Sequence, residues 1–477
     1  MRNFGVRINS INTIMTLIKS ISGIRGTIGG SVGENLTPVD AVKFAAAYGQ
    51  WLKGEYPQGP YKVVIGRDAR PSGDMIQSLV MHTLIGQGIN LIDLGLSTTP
   101  TVEVAVPIES AQGGIILTAS HNPKQWNALK LLNHKGEFLD AAAGASILEI
   151  AQNESFEFSE VDELGVITPN DTYIDKHIDA ILALPLVDAS AIKSRGFRVV
   201  VDAVNSTGGI AVPRLLNALG VETVEIHCTP NGQFPHNPEP LKEHLTDLME
   251  AVVHHKAHMG FVVDPDVDRL AIVDEHGAMF GEEYTLVAVA DYVLSKTPGD
   301  TVSNLSSSRA LRDVTQSKGG RYQASAVGEV NVVTLMKETS AVIGGEGNGG
   351  IIYPELHYGR DSLVGIALFL SHLAHLNVPV STLKASYPFY AMSKNKVALT
   401  PDLDVDQLMQ TIAQTYQNTE SVNTVDGVKI DFENSWVHLR KSNTEPIIRI
   451  YTEATDQQSA DDLALRFVNE LKQLAGI

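Results

Sequence analysis

Three aspartates at a spacing of two residues give the sharpest chemical signal in the sequence. They stand in Asp264-Pro265-Asp266-Val267-Asp268-Arg269, between two apolar runs. In an extended loop, residues two apart project to the same side, so the three carboxylates should converge. Converged carboxylates repel one another unless a cation lies among them, and oxygen ligands in this number suit a hard divalent ion such as Mg²⁺. The pattern predicts a magnesium site, with a solvated acidic turn as the plainer alternative.

An EF-hand calcium loop is another explanation for these aspartates, and the sequence argues against it. Glu275 would fall on the last ligand position of such a loop. However, the position that an EF-hand reserves for its invariant glycine holds Arg269. The flanking segments also have the composition of strands, whereas an EF-hand needs helices.

A serine just past another apolar run could carry a phosphate or act as a nucleophile. Ser120 lies in Thr118-Ala119-Ser120-His121-Asn122-Pro123, directly after Gly113–Leu117. The loop brings hydroxyl, imidazole and amide groups together, which suits a reactive hydroxyl. No G-x-S-x-G surrounds this serine, so a hydrolase nucleophile elbow is not indicated. Taken alone, these residues favour the plainer interpretation, a polar turn at a strand end.

Two further loops have side chains that suit a phosphorylated sugar. The predicted hairpin Trp436–Arg449 carries Arg440-Lys441-Ser442-Asn443-Thr444 at its tip, and guanidinium forks with hydroxyls suit a phosphate dianion. The loop Gly344–Gly350 has five glycines in seven residues, which leaves Glu346 and Asn348 as a hydroxyl-binding pair. No G-x-x-x-x-G-K-[ST] motif occurs, so a nucleotide phosphate loop is not indicated. A charged surface hairpin and a flexible turn remain open as alternatives.

The elements that must position these loops follow one repeated pattern. An apolar strand, a polar or glycine-rich turn and a helical segment occur at Lys62–Asp68, Arg198–Asn205 and Thr301–Ser306. Each is followed further on by a second strand that ends in one of the loops described above. Strands that alternate with helices predict an α/β fold, and ligands then gather at strand ends. We infer three copies of one module, followed by a unit that ends in a hairpin and an amphipathic helix.

Composition limits the classes of function. The 477 residues predict about three or four domains. With 36 basic and 55 acidic residues the net charge is −19, which argues against a general nucleic-acid binder. No run approaches the ~18 apolar residues of a membrane span. The single cysteine, Cys228, excludes an internal disulfide, and we expect a cytoplasmic protein.

Proline-rich and glycine-rich stretches predict the domain boundaries. Residues 1–14 have no hydrophobic repeat, and we expect a disordered or over-extended, dispensable N-terminus. The predicted domains are 15–175 with the serine loop, 176–298 with the aspartates, 299–385 with the glycine-rich loop and 386–477 with the hairpin.

In this order, these segments resemble the α-D-phosphohexomutase superfamily. The match runs from about Ser22 to Thr452. The resemblance implies four domains around a central cleft, three similar mixed α/β domains plus a smaller C-terminal α+β domain, each giving one loop. It also implies an isomerase that moves phosphate between the 6- and 1-positions of a hexose. The expected intermediates are a phosphoserine enzyme and a hexose 1,6-bisphosphate, with Mg²⁺ as cofactor.

The resemblance assigns roles to individual residues. Ser120 looks like the phosphate carrier, and one of its phosphate oxygens would complete the metal site of Asp264, Asp266 and Asp268. Lys130 matches a lysine proposed for acid–base work. The other residues implied are catalytic His121, Arg25 and Arg269, sugar-binding Glu346 and Asn348, and phosphate-binding Arg440, Ser442, Asn443, Thr444 and Arg449.

The sequence departs from the usual family pattern in two places. Ala128 stands where a glycine often occurs, and Gly350 stands where many members carry a histidine. The second departure shifts the expected acid–base role onto Lys130. The Glu346–Gly350 form is similar to the phosphoglucosamine-mutase-like branch, whereas the Ser442-Asn443-Thr444 form also occurs in phosphomannomutase/phosphoglucomutases.

The substrate that we expect is therefore glucosamine 6-phosphate, converted to glucosamine 1-phosphate. A phosphomannomutase/phosphoglucomutase is the alternative within the family. A sugar-phosphate phosphatase and a non-catalytic sugar-phosphate binder are alternatives from other classes. Ser120 together with all three aspartates argues against a binder, since a binder needs neither. We expect hexose phosphates as partners, and neither nucleic acid nor membrane.

Overall fold

The structure is a computed structural model that describes residues 15–20, 23–398, 404–441 and 447–476. The N-terminal segment 1–14 lies outside the described residues. So do Ser442, Asn443 and Thr444 of the predicted phosphate loop.

The first domain contains a seven-stranded sheet with helices packed on it. Helix α1 begins at Pro38, because the Thr37 side chain accepts the backbone N–H of Asp40 and the Asp40 carboxylate accepts that of Thr37. The elements are β1 (Ile18–Ser20), β2 (Gly23–Thr27), α1 (Pro38–Glu55), β3 (Tyr61–Arg67), α2 (Gly73–Gly86), β4 (Ile89–Leu96), α3 (Thr99–Ile108), β5 (Gly113–Leu117), β6 (Trp126–Leu132), α4 (Ala141–Asn153), a 3₁₀ turn (Val161–Glu163) and β7 (Ile167–Pro169). The strand order is β1-β2-β6-β5-β3-β4-β7.

The second and third sheets have four strands each. Around the second sheet lie α5 (Tyr173–Leu182), α6 (Ala189–Ser194), β8 (Arg198–Asp202), α7 (Gly208–Ala218), β9 (Glu222–Ile226), a 3₁₀ turn (Lys242–His244), α8 (Thr246–His254), β10 (Met259–Val263) and β11 (Leu270–Asp274). Around the third lie α9 (Glu282–Lys296), β12 (Thr301–Asn304), α10 (Ala310–Ser317), β13 (Tyr322–Ser325), α11 (Glu329–Thr339), β14 (Ile343–Glu346), β15 (Gly350–Ile352), α12 (Ser362–Leu376) and α13 (Val380–Ala385). Their strand orders are β11-β10-β8-β9 and β13-β12-β14-β15.

The fourth sheet is antiparallel and has a different topology. Its elements are β16 (Ala391–Ala398), α14 (Val405–Tyr416), β17 (Ser421–Asn423), β18 (Val428–Asp431), β19 (Trp436–Lys441), β20 (Ile447–Ala454) and α15 (Gln457–Ala475). The strand order is β16-β20-β19-β18-β17. The predicted hairpin and C-terminal helix are therefore confirmed as β19, β20 and α15.

The first three sheets share one module, as the sequence pattern predicted. In each, a central strand (β3, β8 or β12) pairs in parallel with the next strand on one side and with the third strand on the other. The third strand then pairs antiparallel with a fourth. The three predicted loops all connect the third strand to the fourth, so the repeated topology places them at equivalent positions. The α/β architecture of four domains is confirmed.

The largest apolar core runs across the second and third domains. Helix α12 is buried along its length from Ser362 to Leu373. The ring of Phe369 lies 6.2 Å from that of Phe261 and 5.5 Å from that of Phe280, measured between centroids. A shared core of this kind holds the aspartate loop and the glycine-rich loop in a fixed relation. Within the described part of the chain, no helix is both long and apolar enough to cross a membrane.

Candidate active site

One cleft of about 770 Å³ receives side chains from all four domains. Its size lies within the ~300–1,000 Å³ that is usual for small-molecule sites. The lining includes Arg25 and His121 from the first domain, Glu239 and Arg269 from the second, Glu283, Asn304, Glu346, Asn348 and Arg360 from the third, and Lys394, Arg440, Arg449 and Tyr451 from the fourth. Among the described residues, the side chains predicted from the four loops thus lie in this cleft or beside it.

Ser120 lies in a tight turn at the end of β5 and faces the aspartate loop. Its backbone φ is +48°, in the left-handed region that non-glycine residues rarely adopt. The side chain is 8% exposed, and its Oγ donates a hydrogen bond of 2.6 Å to Oδ2 of Asp264. The turn is fixed by the Ser120 N–H, which donates to Oγ1 of Thr118 at 2.9 Å. The hydroxyl is therefore held against the carboxylates of another domain.

A buried arginine that the motifs did not reveal holds this turn in place. The guanidinium of Arg70 donates to the backbone carbonyls of Ser120, Asn122, Pro123 and Trp126, the last three at 2.7, 2.7 and 3.1 Å. Its Nε donates to Oδ2 of Asp68 at 2.8 Å. One fork thus satisfies four carbonyl groups of the serine loop, which fixes the strained backbone around the hydroxyl.

The three aspartates converge as the spacing predicted. Asp264, Asp266 and Asp268 are each 0% exposed, and one oxygen from each lies within 4.8 Å of the others. Val267, between them, has a φ of +66°. One Asp264 oxygen accepts the N–H groups of Asp268 and Arg269 at 3.1 and 3.2 Å, which folds the loop back on itself.

This group of carboxylates fits a cation. Oδ1 of Asp266 and Oδ1 of Asp268 are buried without a hydrogen-bond partner among the residues that the structure describes. A buried oxygen that lacks a donor is costly, and a metal ion would supply what these oxygens lack. Burial, followed by the charges of Asp268 and Asp266, raises the pKa of Asp264 well above its usual value. A divalent ion would reverse that shift by stabilising the ionised form.

Lys130 and Arg360 neutralise part of this negative charge. Lys130 Nζ lies 2.6 Å from Oδ2 of Asp266 and 3.4 Å from Oδ2 of Asp268, while Arg360 Nη2 lies 2.6 Å from the same Asp268 oxygen. Burial alone would raise the pKa of Asp268, yet the two cations bring it well below its usual range. Burial alone would lower the pKa of Lys130, but Asp266 and Asp268 raise it. The amine is therefore held as an ammonium group beside the aspartates.

His121 lies on the opposite side of the serine loop, where Arg25 and Arg269 supply positive charge. Nδ1 of His121 lies 3.4 Å from the Ser120 Oγ. Burial, with the charge of Arg269, lowers the pKa of His121 well below its usual value, so the imidazole is neutral at pH 7. Burial and the charges of Arg269 and Arg449 lower the pKa of Arg25. This clustering of guanidinium groups in one cleft favours an anionic ligand.

The glycine-rich loop places Glu346 in the cleft but does not leave it free. One Glu346 oxygen accepts from Asn304 Nδ2 at 2.9 Å, and the other lies 2.6 Å from Arg360 Nη1. Asn348 Oδ1 accepts the Gly350 N–H at 3.1 Å, so its amide group faces the cleft as part of a turn. Glu346 is therefore charge-paired before any sugar arrives.

The partly buried carboxyl group of Glu283, which the motifs did not reveal, lies under the same loop. A Cβ atom at Gly347 would come within 2.1 Å of Oε2 of Glu283, so any larger residue there would force the Glu283 carboxyl group to move. That oxygen accepts the Ser308 N–H at 2.9 Å. Burial raises the pKa of Glu283 to about 8.

The fourth domain contributes two arginines from neighbouring strands. Arg440 on β19 and Arg449 on β20 are direct cross-strand partners. Like charges in that arrangement repel, and an anion between them would relieve the repulsion. Nε of Arg440 lies 2.7 Å from Oδ2 of Asp426, which also accepts the Val327 N–H of the third domain at 2.9 Å. The described part of the predicted phosphate loop thus faces the cleft.

Four family models match the chain in order. They describe phosphoglucomutase/phosphomannomutase α/β/α domains I, II and III and the C-terminal domain of the same family, and they match residues 17–158, 175–277, 281–390 and 394–470.

Curated relatives cover nearly the whole chain. A phosphoglucomutase/phosphomannomutase of Thermococcus kodakarensis is 36% identical over 440 residues, covering 91% of this chain and 95% of the relative. A probable phosphoglucosamine mutase of Methanopyrus kandleri is 32% identical, with coverage of 95% and 97%. A phosphoglucosamine/phosphogalactosamine mutase of Sulfurisphaera tokodaii is also 32% identical, with the same coverage.

Solved structures agree with the fold. A phosphoglucomutase/phosphomannomutase family protein of Burkholderia thailandensis superposes with a TM-score of 0.82 at 25% identity, covering 97% of each chain. An N-acetylphosphoglucosamine mutase of Aspergillus fumigatus, solved with GlcNAc-6P and magnesium, gives a TM-score of 0.56 at 14% identity and covers 96% of each chain. At that identity the likeness concerns the fold alone.

Proposed function

The chain belongs to the phosphoglucomutase/phosphomannomutase family of phosphohexose mutases, which are isomerases, and we propose that it interconverts glucosamine 6-phosphate and glucosamine 1-phosphate. The observation that carries the proposed mechanism is the 2.6 Å hydrogen bond from Ser120 Oγ to Asp264. It places a hydroxyl in a strained turn against three buried carboxylates, inside a cleft that all four domains line. A phosphate on that oxygen would complete the oxygen ligands of the aspartate site.

The reaction needs a carrier because neither sugar oxygen can reach the other. In the first half, the bond between phosphorus and Ser120 Oγ breaks, and a bond from phosphorus to the free sugar hydroxyl forms. The product is a hexose 1,6-bisphosphate. In the second half, its other phosphate returns to Ser120. A Mg²⁺ ion held by Asp264, Asp266 and Asp268 would neutralise charge on the transferred group.

In the first half-reaction the sugar hydroxyl loses a proton and the Ser120 oxygen gains one, and in the second half the Ser120 hydroxyl loses a proton and the released sugar oxygen gains one. We assign this proton exchange to Lys130, which is paired with Asp266 at 2.6 Å. Its ammonium group would donate a proton to the oxygen that leaves phosphorus, and the amine formed in this way would accept the proton of the attacking hydroxyl. His121 starts as a neutral imidazole, so it cannot act first as the acid in this exchange. It can accept a hydrogen bond beside the serine oxygen. Arg269 lies at the same edge and would contact the transferred phosphoryl group.

The phosphate that is not reacting must be held at the other end of the cleft. Arg440 and Arg449 bring guanidinium groups there, and their mutual repulsion is relieved when a phosphate dianion binds. The intermediate turns over between the two halves, so this side must accept either the 1-phosphate or the 6-phosphate. Ser442, Asn443 and Thr444 are proposed to complete this loop, although they lie outside the described residues.

Several relatives support glucosamine phosphate as the substrate, since their names include phosphoglucosamine mutase. Glu346 and Asn348 are proposed to bind ring hydroxyls. Arg360 already pairs with Glu346. An ammonium group at C2 of the sugar is therefore attracted less strongly by this carboxylate than it would be by an unpaired one. The 36%-identical phosphoglucomutase/phosphomannomutase supports the second candidate, a mutase of glucose and mannose phosphates.

A panel of substrates separates these candidates. We would measure kcat/KM for glucosamine, glucose, mannose and N-acetylglucosamine phosphates, with Mg²⁺ and the matching 1,6-bisphosphate as activator. We expect the highest value with glucosamine 6-phosphate. An equal or higher value with mannose 1-phosphate would overturn the substrate and leave the mutase mechanism standing. Release of free phosphate without isomerisation would indicate a phosphatase, and no reaction would indicate a binder.

We also propose that the protein acts on small-molecule hexose phosphates in the cytoplasm. The one cysteine, Cys228, is unpaired, and burial raises the pKa of its thiol. An unreactive lone thiol is compatible with a reducing compartment. Fractionation of the source cells followed by a mutase assay would test this placement.

A further inference from the structure

A second buried group of histidines and carboxylates joins the first domain and helix α5 to the third domain. Nε2 of His177, on α5, lies 3.0 Å from Oδ2 of Asp361, and Nε2 of His357 lies 3.4 Å from the same oxygen. Nδ1 of His357 lies 3.4 Å from Oε2 of Glu103, on α3. The side chains of His177, Asp361 and Glu103 are 0% exposed, and that of His357 is 9% exposed.

If both histidines are neutral and both carboxyl groups are ionised, this group has one proton too few to make every contact a hydrogen bond. His357 has a carboxylate oxygen beside each of its ring nitrogens, Asp361 on one side and Glu103 on the other. A neutral imidazole carries one N–H, so one nitrogen must point a lone pair at a carboxylate. Neither oxygen of Glu103, nor Nδ1 of His357, has a hydrogen-bond partner within the described ranges. A second proton on His357, or a metal ion at the Asp361 end, would resolve the conflict.

We propose that His177, His357 and Asp361 bind a divalent transition-metal ion of the Zn²⁺ class. The three ligand atoms lie within 4.8 Å of one another. Donors at ~2.0–2.1 Å from a tetrahedral zinc are about 3.4 Å apart, which agrees with the spacing of His357 Nε2 and Asp361 Oδ2. The 3.0 Å between His177 Nε2 and Asp361 Oδ2 is a hydrogen-bond distance and would have to widen when a metal binds. Two imidazoles with one carboxylate suit zinc and its neighbours in the series, whereas an all-oxygen site suits Mg²⁺.

The partners of the three ligands fit this assignment. With Nε2 on the metal, His357 Nδ1 carries its proton and donates toward Glu103. His177 Nδ1 likewise donates toward Oγ1 of Thr101, 3.1 Å away. The second Asp361 oxygen accepts the Leu363 N–H at 2.8 Å at the start of α12. A carboxylate behind a metal-bound histidine is a common support of such sites, and it fixes the tautomer of the ring.

The metal would link the domains structurally and would take no part in phosphoryl transfer. Asp361 follows Arg360, whose guanidinium contacts both Asp268 and Glu346 at 2.6 Å. A metal that fixes Asp361 to α5 therefore also fixes the backbone next to this arginine. The buried position favours a structural site over a catalytic one.

Cobalt(II) is the probe for this site. The full-length protein is stripped with a chelator, supplied with excess Mg²⁺ to fill the aspartate site, and titrated with Co²⁺ in absorption. We expect one equivalent with the intense visible bands of four-coordinate Co²⁺, displaced by Zn²⁺. His357→Ala should abolish these bands. Glu103→Gln should weaken binding about 10–100-fold, the usual cost of losing such a support.

A matched control comes from another cluster in the same chain. Asp202, His227 and His236 also lie within ligand distance of one another, in the second domain. His227→Ala should leave the cobalt bands unchanged, and circular dichroism checks that each variant folds. His357→Gln, with a side chain of closer size, replaces His357→Ala if the latter fails to fold.

Three results would overturn the proposal. They are no four-coordinate bands in the wild type, bands that survive loss of His357, or bands that His227→Ala removes. The first would mean that a proton on Glu103 or a second proton on His357 completes the network without metal. None of these results bears on phosphate transfer by Ser120, so this proposal and the proposed function can fail separately.

Discussion

The two ends of the cleft are built in opposite ways. At the phosphoryl-transfer corner, Ser120 is 8% exposed, the three aspartates are 0% exposed, and contacts from two domains fix the serine. At the hairpin of the fourth domain, Arg449 is exposed and stands directly across from Arg440. Negative charge is concentrated and buried at one end, and positive charge is more accessible at the other.

This difference follows from what a mutase asks of each end. In the proposed mechanism, the transferred phosphoryl group meets the Ser120 oxygen, the metal site and Lys130 in one geometry, which requires these groups to be fixed in position. The other end is proposed to receive a phosphate from either position of the sugar, so positive charge matters more there than an exact geometry. We therefore expect changes at the corner to reduce kcat strongly and changes at the hairpin to act mainly on KM.

The largest effect is expected from removing the carrier oxygen. Ser120→Ala should lower kcat by more than about 10³-fold, because no other group can hold the phosphate between the half-reactions. Initial rates with a coupled assay give the measurement, and phosphopeptide mapping locates the phosphate. Ser78→Ala, on the exposed face of α2, is the control. A label found only on other residues would contradict the carrier role.

The next effect is expected at the metal site. Asp266→Asn removes one anionic ligand and one partner of Lys130, and it should weaken Mg²⁺ binding at least about tenfold, or ~1.4 kcal/mol. Titration of activity with Mg²⁺ measures the change. Asp247→Asn, an exposed position on α8, should leave the titration unchanged. If wild-type activity in EDTA equals activity with Mg²⁺, the metal site is not needed for turnover.

A third change tests whether rigidity of the corner matters. Lysine at position 70 keeps the charge beside Asp68 but cannot bind four carbonyl groups at once. Arg70→Lys should reduce kcat about 10–100-fold, since small misplacement of a reacting group is costly. Arg214→Lys, at an exposed ion pair, is the matched control. An unchanged kcat in a folded Arg70→Lys variant would show that the serine turn needs no such support.

The motifs predicted the parts of the site that are local in sequence. Asp264, Asp266 and Asp268 converge because their spacing is a property of one loop, and the repeated strand order follows from three similar hydrophobic patterns. The hairpin Trp436–Lys441 and Ile447–Ala454 is likewise a local feature. These features can be predicted from the sequence because the residues that produce them are neighbours along the chain.

What the sequence did not reveal depends on contacts between distant segments. Arg70 reaches carbonyl groups some fifty residues away, and Arg360 joins the aspartate loop to the glycine-rich loop. Glu283 has no motif of its own and lies under Gly347 only after folding. Of these three residues, Arg70 could most easily have been predicted from the sequence, because it follows the predicted strand Lys62–Asp68 in a polar turn.

A smaller effect on turnover is expected at the hairpin end. Arg449→Ala removes one of two facing guanidinium groups, while Arg440 remains to bind the phosphate. We expect KM to rise about 5–10-fold and kcat to change by less than about threefold, because this contact is present in both ground and transition states. Steady-state kinetics measure both constants, with Lys472→Ala on the C-terminal helix as control. A loss confined to kcat would place Arg449 at the transferring phosphate instead.

The smallest effect concerns the carboxyl group under the glycine-rich loop. At the corner, Lys130 and Arg360 keep Asp268 ionised, whereas burial raises the pKa of Glu283 from 4.5 to about 8. The folded chain therefore holds a proton on Glu283 that the unfolded chain releases, and stability falls as pH rises from about 4.5 to 8.

Glutamine carries no such proton. Glu283→Gln should match the wild-type melting temperature near pH 4.5 and exceed it by a few degrees at pH 6, where the difference is about 2 kcal/mol. The gap should widen up to pH 8 and then stay constant. Thermal unfolding followed by circular dichroism across this range measures it, and a gap that does not depend on pH would mean that Glu283 is already ionised in the folded chain.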